Sequence, residues 1–217
     1  MNRMKMPDQA TQRELALVLA RERLKAVAPF DIARRAGVRY QPEGETSGRF
    51  ELLCLNRPLR VTHPAGLVQS ADAQKPPNHA FCLLTLHYLA HADGHPLAGR
   101  WVAFRELPDG LMYDRAFRAR VEPPLERAFC SRPDRFASAA RALGGRPLAL
   151  GDAALTLDAF PRLPMAVILY RGDDELPGAA SILFDGAAGH YLPTEDLAVL
   201  GGLLVGSLIK AAPAQEP

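Results

Sequence analysis

Cysteine is scarce in this chain of 217 residues, which has only Cys54, Cys82 and Cys130. The three are far apart and form no CxxC pair, so this chain alone cannot build a zinc ribbon or an iron–sulfur cluster. Cys54 and Cys82 lie in apolar runs, as small core residues do. Isolated thiols of this kind predict a reducing, cytoplasmic location.

Long hydrophobic runs and glycine-rich ligand loops are lacking as well. The uncharged run Leu197–Ile209 is shorter than the roughly 18 residues needed to cross a membrane, so we expect a core helix and no membrane partner. The apolar stretch Leu15–Ala20 is too short for a signal peptide. No dinucleotide fingerprint, phosphate loop or G-x-S-x-G elbow is present, which excludes the enzyme classes that such motifs identify.

Strong net charge is a third absence, since the formal net charge is +2. This value argues against a nucleic-acid partner. The charge is nevertheless uneven, because residues 147–217 contain nine acidic and three basic side chains. Either this acidic third packs near the basic remainder and stabilises the fold, or it faces a cation, a metal centre or a basic partner.

What the chain does contain is many short elements separated by proline, of which it has nineteen. Helical patterns cover Pro77–Ala92, Pro124–Phe129 and Pro133–Leu143, and Thr194 is the expected N-cap of a last helix. Strand patterns occur in two groups with hairpin-length links. The first group is Val38–Gln41, Arg49–Leu55 and Pro58–Thr62, and the second is Ala154–Ala159, Met165–Tyr170 and Ala179–Phe184. This order predicts an α+β fold with antiparallel sheets and packed helices. We expect one domain over residues 9–211, with flexible segments at 1–8 and 212–217.

Two histidines one helical turn apart form the first candidate site. His87 and His91 point within about 40° of each other on a helix, so both can reach one ion. They lie at the edge of an apolar stripe, beside Tyr88. The alternative is a pair of half-buried histidines on a helix surface, and two ligands alone do not make a metal site.

Acidic residues at the end of a strand and at the start of the last helix form the second candidate site. Asp185 ends a strand and is expected near Glu195 and Asp196 at the start of the last helix, where one of the three is a candidate general base. The acidic stretch at residues 173–175 lies at the opposite end of that strand, roughly 20 Å away. Turn and helix-cap roles explain such residues equally well.

The third candidate site is an aromatic segment rich in arginine. Trp101 and Tyr113 offer flat apolar walls, Arg105 is suited to clamp an anion, and Glu106 lies beside it. The alternative is an ordinary strand end followed by a solvated helix face.

Several phrases of the sequence resemble one protein family. They are Trp101–Pro108, which contains Phe-Arg-Glu-Leu-Pro, Leu143–Gly145, and Tyr191–Leu197, which contains Tyr-Leu-Pro-Thr-Glu-Asp. They resemble DUF3786, an uncharacterised bacterial and archaeal family without established activity, over about residues 10–210. The resemblance implies anaerobic bacteria and, in some members, fusion to a four-cysteine iron–sulfur domain like that of the corrinoid iron–sulfur protein. It supplies no catalytic residues, and this chain lacks those cysteines.

Three functional hypotheses follow. The first is a cytoplasmic binding module, accessory to anaerobic metabolism, for a cofactor, a transition metal or a haem- or corrinoid-like ligand, with an iron–sulfur or corrinoid protein as partner. Its binding residues are His87, Tyr88, Trp101, Arg105, Glu106 and Tyr113, with His87 and His91 as metal ligands. The second is an enzyme that uses Asp185, Glu195 or Asp196 as general base and Arg105 as anion clamp. The third is an interaction subunit with an acidic C-terminal face.

Overall fold

The computed structural model describes residues 8–72, 76–173 and 175–213. Within them the expected α+β architecture is confirmed, with helices packed on two antiparallel sheets. The helices are α1 (Gln9–Lys25), α2 (Pro29–Ala36), α3 (His79–His91), α4 (Gly110–Leu125), α5 (Pro133–Ala142) and α6 (Thr194–Ala211). The predicted flexible ends lie largely outside the described residues.

The first sheet has the order β1-β2-β3-β4 and the second has the order β5-β9-β8-β7-β6. The strands of the first are β1 (Arg39–Pro42), β2 (Gly48–Cys54), β3 (Arg57–His63) and β4 (Val68–Ser70). The strands of the second are β5 (Trp101–Ala103), β6 (Arg146–Leu148), β7 (Ala153–Phe160), β8 (Leu163–Tyr170) and β9 (Ala179–Asp185). All neighbouring strands are antiparallel.

The hairpin between β2 and β3 joins the two sheets. Its turn residues Leu55 and Asn56 have φ of 48° and 60°, the left-handed conformation that a two-residue hairpin turn requires. Leu55 is buried, and its backbone N–H donates to the carbonyl oxygen of Ala159 in β7 at 3.0 Å. One hydrophobic core therefore runs continuously through both sheets and the helices.

The last helix is buried as the sequence predicts. Leu197, Leu200, Leu204 and Leu208 are fully buried, and α6 packs mainly on α4 and α5. No helix in the described ranges is both long and apolar enough to cross a membrane.

The region before α5 corrects the sequence interpretation. The helix expected to begin at Pro124 begins at Gly110 instead, and Pro123 and Pro124 lie inside it. Proline breaks the regular hydrogen-bond ladder because it has no N–H. A π-helical turn, Glu126–Cys130, follows directly and continues the chain into α5. Such wider turns accommodate irregular backbone bonding within helices.

Candidate functional site

A surface cavity of about 410 Å³ lies where the end of α3 meets the beginnings of α4 and α6. We call it the His91 cavity. It is lined by His91, Pro108, Asp109, Met112, Tyr113, Gly189, Leu192, Pro193, Thr194 and Glu195. Its walls therefore combine apolar and aromatic side chains with a few polar groups, as is typical of small-molecule sites.

The wall formed by the start of α4 depends on a close backbone approach. Asp109, the N-cap of α4, has a left-handed φ of 58°. A Cβ on the next residue, Gly110, would lie 2.0 Å from the carbonyl oxygen of Phe104. Only glycine fits at this position, because the turn brings α4 directly onto the preceding 3₁₀ turn, Phe104–Glu106.

Thr194 ties the opposite wall to this one and corrects a sequence expectation. The N-cap position of α6 is occupied by Pro193, and Thr194 is the first helical residue. The Thr194 hydroxyl donates a hydrogen bond to the carbonyl oxygen of Pro108 at 2.6 Å. The hydroxyl thus closes the gap between α6 and the loop before α4.

The two helical histidines have separate partners. His91 Nε2 lies 3.1 Å from the carbonyl oxygen of Gly189, whereas His87 Nδ1 lies 2.6 Å from Asp196 Oδ2. Among the residues that the structure describes, no group of three or more His, Cys, Asp or Glu side chains is arranged to hold a metal ion. The geometry thus gives no support to the predicted metal pair of His87 and His91.

The pair of His87 and Asp196 links α3 to the first turn of α6. The two side chains are 22% and 15% exposed, so solvent and small molecules reach them. A carboxylate at Nδ1 fixes the tautomer of an imidazole and leaves Nε2 for a proton, a metal or a ligand. His87 Nε2 forms no hydrogen bond with another described residue.

Tyr88 belongs to the core and not to the site, which corrects its assignment as a ligand-binding residue. Its side chain is fully buried and its ring stacks on Phe160 at 4.4 Å between centroids. The hydroxyl donates to the carbonyl oxygen of Ala36 and accepts the backbone N–H of Arg162. Burial also raises the pKa of this phenol.

Asp185 holds the loop before β5 by hydrogen bonds. Its buried carboxylate accepts the backbone N–H groups of Ala98, Gly99 and Ala187, each at 2.8–2.9 Å. The residue pairs with Trp101 across β5 and β9. The three amide donors give the buried carboxylate a structural role, and neither Asp185 nor Trp101 lines the His91 cavity.

The remaining predicted residues divide between the cavity and the surface. Tyr113 and Glu195 line the cavity beside His91. Arg105 and Glu106 are exposed and lie outside it. Glu106 accepts the backbone N–H of Ala103 at 2.7 Å, which closes the 3₁₀ turn.

A second group of histidines forms contacts that the sequence did not predict. His190 Nδ1 lies 2.7 Å from Asp93 Oδ2, and the ring of His190 stacks on His95 with 3.8 Å between centroids. Burial opposes ionisation of Asp93, but the hydrogen bonds from His190 and from the backbone N–H of His95, together with the charges of both imidazoles, outweigh it and lower the pKa of Asp93. Asp93 and His190 are 97 positions apart, so no local spacing indicates the contact.

Comparison with known proteins identifies the family. The family model described as a domain of unknown function, DUF3786, matches residues 28–207. The chain is thus an α+β protein that belongs to the DUF3786 family, as its sequence phrases predicted. No curated protein matches it, and no solved structure matches it.

Proposed function

We propose that this protein is a binding module for a small-molecule or cofactor ligand and that the ligand occupies the His91 cavity. The observation that carries the proposal is the convergence of His91, Tyr113 and Glu195, from three helices, on one cavity of about 410 Å³. Ligand sites typically have volumes of about 300–1,000 Å³ and few polar groups on apolar walls.

The side chains indicate the chemistry of the ligand. Met112 and Tyr113 present apolar surface to a flat group, and the carboxylate of Glu195 accepts hydrogen bonds from a donor. A haem or corrinoid would take an imidazole nitrogen as axial ligand, but His91 Nε2 already contacts the Gly189 carbonyl oxygen. The geometry fits a metal-free ligand better than a tetrapyrrole.

From the family resemblance alone we extend the proposal to a cytoplasmic role accessory to anaerobic metabolism, with an iron–sulfur or corrinoid protein as partner. The absorption spectrum and metal content of the purified protein test for a bound chromophore or metal. Titration with haem and with a corrinoid tests those ligand classes directly.

The cavity itself is tested by screening fragments with ¹⁵N-labelled protein. We expect saturable shifts at the amides of His91, Tyr113 and Glu195, and at least a tenfold loss of affinity, or about 1.4 kcal/mol, for Tyr113→Ala. Tyr170→Ala is the matched control, because Tyr170 is 46% exposed and Tyr113 is 42% exposed. The proposal fails if no fragment, haem or corrinoid binds saturably at these amides.

A second candidate function is an enzyme, favoured by the contact of 2.6 Å between His87 and Asp196. In this version the general base is the imidazole of His87, oriented by Asp196. His87, Asp196 and Arg105 all lie outside the lining of the His91 cavity. An enzyme of this kind would lose turnover in both His87→Gln and Asp196→Asn. Equal activity of Asp196→Asn and wild type on any substrate found would eliminate it.

A further inference from the structure

A second and larger cavity, of about 600 Å³, lies on another part of the molecule. We call it the Arg57 cavity. It is lined by residues of β3 and β4, the start of α3 and the end of α6, namely Arg57, Leu59, Ser70, Asp72, Pro76, Pro77, Asn78, Phe81, Leu143, Gly202, Leu203, Gly206, Ser207, Lys210 and Ala211. None of these residues lines the His91 cavity.

The cationic groups of the Arg57 cavity have no anionic partner within the described part of the chain. The guanidinium of Arg57 lies over the ring of Phe81, 4.9 Å from its centroid, a position that holds it by a cation–π contact. Neither Arg57 nor Lys210 forms an ion pair with a described residue. The carboxylate in the cavity, Asp72, accepts the hydroxyl of Ser70 at 2.5 Å.

A buried serine of the same cavity also has a hydroxyl without a partner among the described residues. Ser207 is 8% exposed, and its hydroxyl forms no hydrogen bond with any residue that the structure describes. The oxygen of this hydroxyl is not fully buried, because the described side-chain atoms that are both fully buried and unpaired are the ring nitrogens of His63. Since Ser207 lines the cavity, a bound ligand is the natural partner for its hydroxyl.

The backbone adds a helix N-terminus that suits an anion and a glycine that leaves space for a ligand. The cavity wall includes Asn78, the N-cap of the thirteen-residue helix α3, whose side chain accepts the N–H of Phe81 at 3.1 Å. The other N–H groups of the first turn have no acceptor within the helix, and the helix dipole favours negative charge there. Gly206 keeps the opposite wall open, because a Cβ on it would meet no atom within 4 Å.

We propose that the Arg57 cavity binds a small molecule through its phosphate group. The guanidinium of Arg57 and the ammonium of Lys210 neutralise the phosphate, and the first turn of α3 and the Ser207 hydroxyl donate hydrogen bonds to its oxygens. Leu59 and Leu203 then contact the apolar part of the molecule. This site is independent of the function proposed for the His91 cavity.

Titration of the ¹⁵N-labelled full chain with inorganic phosphate, against sodium chloride at equal ionic strength, tests the site. We expect saturable shifts at the amides of His79, Ala80 and Ser207. Arg57→Gln should weaken phosphate binding about tenfold or more, as loss of a hydrogen bond to a charged group does. Gly206→Leu should abolish phosphate binding, because the leucine side chain fills the cavity. The stability of the Gly206→Leu protein should stay close to that of the wild type.

Arg60→Gln is the matched control. Arg60→Gln removes one positive charge from β3, as Arg57→Gln does. Arg60 lies on the opposite face of the sheet from Arg57, because the side chains of a strand alternate. Its phosphate affinity should equal that of the wild type. Shifts that do not saturate, shifts confined to other parts of the chain, or equal losses in Arg57→Gln and Arg60→Gln would overturn the proposal.

Discussion

At the scale of single residues, the buried polar side chains of the core are the most constrained. Tyr88 Oη donates to the carbonyl oxygen of Ala36 at 2.6 Å and accepts the N–H of Arg162 at 3.0 Å. It therefore ties the end of α2 to the turn between β7 and β8. Tyrosine is needed here because phenylalanine fills the same space without satisfying either group.

Tyr88→Phe should lower the free energy of unfolding by about 1–3 kcal/mol, because it leaves a buried carbonyl and a partly buried N–H unpaired. Urea unfolding followed by circular dichroism measures the change. Tyr170→Phe, at a site that is 46% exposed, should leave stability unchanged. A Tyr88→Phe protein as stable as the wild type would show that water replaces the lost hydroxyl.

His63 should make stability depend on pH. It is 8% exposed, neither ring nitrogen has a hydrogen-bond partner among the described residues, and its ring meets those of Tyr40 and Phe50. Burial lowers the pKa of His63 below its ordinary value. As the pH falls through that ordinary value, the unfolded chain therefore binds a proton that the folded chain does not.

The free energy of unfolding should consequently fall between about pH 7.5 and pH 5, and it should fall less in His63→Leu. The two proteins share all other titrating groups, so the difference between their curves isolates His63. Urea unfolding at a series of pH values measures both curves. Parallel curves would mean that His63 takes up a proton equally well in the folded protein.

At the scale of secondary structure elements, two glycines of α6 have opposite roles. A Cβ on Gly201 would lie 2.6 Å from the ring of Phe117 in α4, and that ring is itself buried and stacked on Phe104 at 4.2 Å. A Cβ on Gly206 would meet nothing within 4 Å. The first glycine permits close helix packing, whereas the second permits no packing contact and weakens the helix.

Gly201→Ala should destabilise the protein by about 1–3 kcal/mol, as overpacking does. Gly206→Ala should stabilise it by about 0.5–1 kcal/mol, because alanine is the better helix former. Thermal unfolding of the two variants provides the comparison, each serving as the control for the other. An increase in stability in both variants would mean that helix propensity alone decides the outcome.

The sequence predicted most elements but not all of their boundaries. Hairpin strands and apolar helices follow local periodicity, so β2, β3, β7, β8, β9, α3 and α6 were expected. The extension of α4 through Pro123 and Pro124 was not. Proline is a local signal for a helix boundary, and here packing of Phe117 and Val121 in the core overrides it.

At the scale of the whole molecule, the two sheets share one core and are joined by the hydrogen bond from Leu55 to Ala159. They should therefore unfold together. Trp101 fluorescence reports on the second sheet. Labelling of Cys54, a thiol that is fully buried in β2, reports on the first sheet in a variant with Cys82→Ala and Cys130→Ala.

Both probes should give the same urea midpoint within error, as expected of a two-state domain. The doubly substituted variant without urea is the baseline for labelling. Separate midpoints would divide the chain into two units that fold independently and would contradict a single domain.

The sequence by itself determined the α+β class, the family, the burial of α6 and the residue types that supply chemistry, because these depend on local spacing and composition. Only the tertiary structure decided which of those residues meet. His87 contacts Asp196 across 109 positions, and Arg57 and Lys210 line one cavity although they are far apart in the sequence. Tyr88, which sequence spacing placed at the site, is instead in the core. Such contacts arise from the packing of distant elements, which leaves no periodic trace in the sequence.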